Sequence, residues 1–233
     1  MIVDIIKDVV DKMKVYKTES MGQTTPTTIT FRVSAIDYPT WYVGATAYVV
    51  ISGGDVVYGK AIGIFPIQSI VQVEFTEAVP ASSINEFGMD INYLYGHPKD
   101  IFNEITKMGQ KAAFKTRRFP VLALMQDFDE NENEGINEVD IQLIIGTDTL
   151  PSYNARQRYE ASYNGRRLTL LYQRFIQYME WNTATYFRRG DAVKTDRLYW
   201  GKDGALGNTE NKADAFIDAI EININPLKVL NTC

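Results

Sequence analysis

The sequence is nearly without the residues that most often carry reactive chemistry. Cysteine occurs once, as Cys233, and histidine once, as His97. A single cysteine cannot close an intramolecular disulfide, and with one histidine beside it the usual His/Cys zinc sites are excluded. Ser-His-Asp chemistry is excluded at any site away from His97. His97 precedes Pro98 at the start of a helical pattern, where a structural role is expected. An excess of basic charge is also missing: 24 Lys and Arg stand against 29 Asp and Glu, a net charge of −5. Proteins that work mainly by wrapping duplex nucleic acid are usually basic, so that role is disfavoured. Long apolar runs are absent, and no window approaches the roughly 18 apolar residues of a membrane span. Asp4, Asp8 and Asp11 interrupt the apolar pattern of MIVDIIKDVVDKMKV, so no secretory signal is expected. The chain is expected to be made in a cytoplasm and to have no membrane partner.

What is present describes a globular protein rich in aromatics. Of 233 residues, 45% are apolar, with 14 Tyr and 11 Phe, enough for one large domain or two small ones with a real core. Ile2, Ile5, Ile6, Val9, Val10 and Met13 fall at helical spacing. Residues 29–35, 41–51, 56–64 and 70–76 alternate as strands, with a tight turn at Gly53-Gly54. Tyr95-Gly96-His97-Pro98 breaks the pattern and predicts a boundary, giving an N-terminal helix-and-sheet subdomain over 1–98 and a second domain over 99–233. In the second, Ile101, Phe102, Ile105, Met108 and Ala112 mark a helix. Phe119–Met125 suits a buried strand, and Val139–Ile145 an alternating partner. Leu168, Leu171, Tyr172, Phe175, Ile176 and Met179 form a helical stripe that requires a sheet to pack on. Ile220, Ile222 and Ile224 form a last strand. The order is α+β, with helices on a mixed sheet, and not the regular alternation of a nucleotide-binding α/β fold.

The candidate sites are weighed against plainer roles. Gly201-Lys202 is followed by Asp203, so it is not a phosphate loop, which needs Gly-Lys-Ser/Thr. DFDENENEGINE, residues 127–138, places Asp127, Asp129, Asn131 and Glu138 at calcium-loop positions. Glu132 stands where the loop needs glycine, so a solvated hairpin tip is the expectation. A metal-dependent nuclease or lytic enzyme using Asp127, Asp129 and Glu132 is one alternative, and a single-stranded nucleic-acid binder using the N-terminal sheet is another. No metal and no cofactor is expected. From Lys99 onward 18 basic residues face 19 acidic ones, in segregated clusters such as Lys115-Arg117-Arg118, Arg156-Arg158, Arg166-Arg167 and Arg188-Arg189. The alternatives are ordinary solvated faces, complementary surfaces that fix the register of subunits, or a basic face lining a DNA channel. Tyr159, Tyr163, Arg166, Arg167, Tyr199, Trp200, Lys202 and Asp203 are the candidate interface residues, because Tyr, Trp and Arg are enriched at hot spots. Trp200–Asn211 is expected to lie at a subunit or partner interface.

TDRLYWGKDGALGNTENKADAFIDAIEI, preceded by the FPVLAL strand and a tyrosine-rich helix over Tyr159–Tyr178, resembles a segment of structural proteins of crAss-like and related Bacteroidales tailed bacteriophages. The likeness covers roughly residues 95–230. It implies a virion component of the neck or tail. The order of elements also looks like that of tail-terminator and head–tail connector proteins. What the resemblance implies is a homo-oligomeric ring that meets portal, adjacent ring or tail proteins, with packaged DNA passing through and no catalysis.

Overall fold

The computed structural model describes residues 2–34, 40–115, 117–126, 130–133, 135–149, 152–164, 167–200 and 216–230. The fold is α+β and divides into two compact units, one of residues 13–90 and one of residues 1–12 with 91–233. The boundary expected near 98 therefore falls at 90/91. The reason is a strand that the sequence pattern does not display. Asn92–Gly96 pairs in parallel with Val121–Met125, which ties it to the later chain. Most of the first helix, α1 (Ile2–Lys14), also belongs with the later chain. It buries Ile2, Ile6, Val9 and Val10, and the Tyr93 hydroxyl donates to the Val3 carbonyl oxygen at 3.1 Å. Burial, with the negative charge of Asp4 nearby, pushes the Tyr93 phenol above its ordinary value.

The unit of residues 13–90 is an antiparallel sheet of β1 (Thr18–Gln23), β2 (Thr28–Val33), β3 (Thr46–Ile51), β4 (Val56–Phe65), β5 (Ile70–Phe75) and β6 (Ile84–Met89). Its order is β1-β2-β5-β4-β3-β6. The sheet curls until the chain just ahead of β1 reaches β6: Val15 bridges Gly88, and the Tyr16 amide donates to the Phe87 carbonyl at 3.0 Å. Aromatic side chains fill the interior. Phe31 and Phe87, from strands that are not neighbours, stack at 3.8 Å, and Trp41 stacks on Phe87 at 5.0 Å. Gly88 on β6 leaves room for the ring of its cross-strand partner Tyr48, which a Cβ there would meet at 2.4 Å and push aside.

The other unit is built on a second sheet. β7 (Asn92–Gly96) leads into α2 (Pro98–Gln110) and the short α3 (Ala112–Lys115), and the chain returns as β8 (Val121–Met125), parallel to β7. β9 (Glu130–Asn133) and β10 (Ile136–Thr149) form an antiparallel hairpin. α4 (Ala155–Tyr159), a π-helical turn over Glu160–Asn164, and α5 (Arg167–Trp181) follow. β11 (Thr185–Tyr186), β12 (Ala192–Trp200) and β13 (Phe216–Leu230) complete the sheet. Its order is β11-β13-β10-β8-β7, with β12 also on β13 and β9 also on β10. The centre is the β10–β13 ribbon, paired from Ile136↔Leu230 to Thr149↔Phe216 with one bulge between Val139 and Ile141, about 45 Å of paired chain.

Both faces of this ribbon are covered. On one face Val121, Ala123, Ile144, Ile217 and Ala219 pack against Ile101, Phe102 and Ile105 of α2. The opposite face carries Leu122, Leu143, Ile145, Ile220 and Ile222, and α5 packs on β10 and β13. The stripe expected on 168–179 is the buried face of α5, through Leu168, Leu171, Phe175, Ile176 and Met179. Truncating Leu171→Ala removes a fully buried side chain and leaves a cavity, at a cost of about 2–5 kcal/mol. Urea unfolding should show an unchanged slope and a lower midpoint, whereas a midpoint equal to the parent's would show that this stripe is not core.

Candidate interaction surface

The segment that carries the candidate interface tyrosines is anchored from below. Asn154 and Gln157 form a reciprocal cap at the start of α4. Each side-chain oxygen accepts from the other residue's backbone N–H at 3.0 Å. The cap sets α4 so that Arg158 enters the interior. Its Nε and Nη2 donate to Asp218 Oδ1 at 3.0 and 2.7 Å, and Ser162 Oγ donates to Asp218 Oδ2 at 2.8 Å. Both charged side chains are completely buried. Arg158, grouped by sequence with solvated or interface arginines, is therefore an internal clamp from α4 to β13. A buried charge is tolerated only with a partner and hydrogen bonds, and Asp218 supplies both. The signal was present but unreadable, because Asp218 lies 60 residues along the chain.

Each remaining candidate has its own place. Tyr159, next to the clamp, is 50% exposed, and Arg167 is half-buried at the start of α5. Tyr163 lies in the π-helical turn and Tyr199 in β12, and their side chains lie outside the described residues. Arg166, Lys202 and Asp203 lie outside them as well, as does the rest of the interface expected to follow Trp200. Trp200 itself is corrected. It is 5% exposed and packs 6.5 Å from Phe102, ring centre to ring centre, with Ile217 in the same cluster. β12 pairs with β13 and carries the indole inward, so Trp200 anchors its own core rather than a neighbour. His97 caps α2, its Nδ1 accepting from the Lys99 amide at 3.3 Å.

Of the acidic stretch, β9 and the start of β10 are a hairpin with Gly135 in the left-handed region. Asp127 and Asp129 lie outside the described residues. Among the described residues, no group of three His, Cys, Asp or Glu side chains is placed to hold a metal ion.

A concavity at the end of the ribbon has no counterpart among the sites read from the sequence. It encloses about 460 Å³ between the end of α5, β11, the turn after it and the last part of β13, and it is lined by Glu180, Tyr186, Phe187, Arg188, Asp191 and Lys228 among others. Local hydrogen bonds fix its rim. Glu180 Oε1 accepts from the Arg189 amide at 3.0 Å, and Asp191 Oδ2 accepts from the Arg188 amide at 2.8 Å. Lys228 Nζ reaches Glu138 Oε1 at 3.1 Å across the ribbon. Phe187 is buried, while Tyr186 is 60% exposed; nearby in sequence, Trp181 is 57% exposed and Val193 62%. The readable signal was the density of WNTATYFRR, residues 181–189, in Trp, Tyr, Phe and Arg. These residue types dominate interface hot spots.

Comparison with protein-family models, with curated proteins and with solved structures found no match. No described helix is long and apolar enough to cross a membrane.

The clamp gives a sharp expectation. Asp218→Ala strips a buried guanidinium of its carboxylate and should cost about 3–5 kcal/mol, more than the paired change Arg158→Met with Asp218→Leu. Chemical denaturation of the three variants measures this, and a single variant as stable as the parent would refute the clamp.

Proposed function

We propose that this chain is a non-catalytic structural subunit of an oligomeric ring in the neck or tail of a tailed bacteriophage. In this role it joins head or portal to tail, lines the path of the DNA without reading its sequence, and resides in the virion. The observation that carries the proposal is the concavity of about 460 Å³, whose lining includes the exposed Tyr186 and Arg188. Tyr186 supplies rigid, amphipathic area and Arg188 a planar donor fork, and both residue types are enriched at association hot spots. The phage resemblance of residues 95–230 points in the same direction.

The net charge of −5 suits this role better than duplex binding, because a wall that lets DNA slide must not grip the phosphates. Sedimentation velocity over a range of micromolar concentrations tests the proposal. A discrete species several times the 26.5 kDa of one chain is expected. A monomer at every concentration would overturn it.

A further inference from the structure

We draw no further inference here: the strongest candidate, the apolar tip of the β4–β5 hairpin, where Phe65 is 44% exposed and Ile67 98% in a stretch without a charged residue from Ala61 to Gln72, carries nothing, because nothing in the structure shows what covers it.

Discussion

The long antiparallel pairing of β10 with β13 constrains everything else in its unit. Its register decides which residues face α2 and which face α5, because a slip of one residue would exchange the two faces. It brings Asp218 to the face where α4 descends, and so determines that Arg158 is buried and paired. It also places the start of β10 beside the end of β13, where Glu138 meets Lys228. The cores, the clamp and the Glu138–Lys228 pair are consequences of one pairing between segments far apart in the chain.

Much of this pairing was legible as pattern. The strand character of Val139–Ile145 and Ile220–Ile224 and the helical stripe on 168–179 follow from apolar spacing, as does the α+β class. The lengths of the strands were not legible. β13 runs through Asn223 and past Asn225 and Pro226, residues that favour turns, because β10 pairs with it on both sides of a bulge there, at Ile224 and again at Leu227. β12 has few apolar alternations, with Lys194, Asp196 and Arg197 along it, and its strand state comes from pairing with β13. β7 is short and lies next to a glycine and a proline, and only its parallel partner β8 identifies it. In each case tertiary pairing prevails over local propensity.

The interaction surface was half legible for a related reason. Tyr and Arg density along the sequence points to association, but it does not say which rings face outward. Trp200 lies beside Tyr199 in a stretch that reads as an anchor, and the inward pleat of β12 gives it to the core. Trp181 sits at the end of a buried helix and is nevertheless 57% exposed, because α5 stops there and the chain turns back into β11. Arg158 and Arg188 look alike in sequence, yet one is sealed against a carboxylate and the other lines an open concavity. Burial separates a structural arginine from one available to a partner.

The proposed ring subunit would need a rigid body and a charge balance that tolerates passing DNA. The ribbon is such a body, and the concavity lined by Tyr186 and Arg188 lies at its β11 edge. Electron cryo-microscopy of the assembled protein tests the central claim most directly. Closed rotational symmetry around a central channel, with every copy in the same orientation, is predicted. A population of monomers or of two-fold dimers would contradict it.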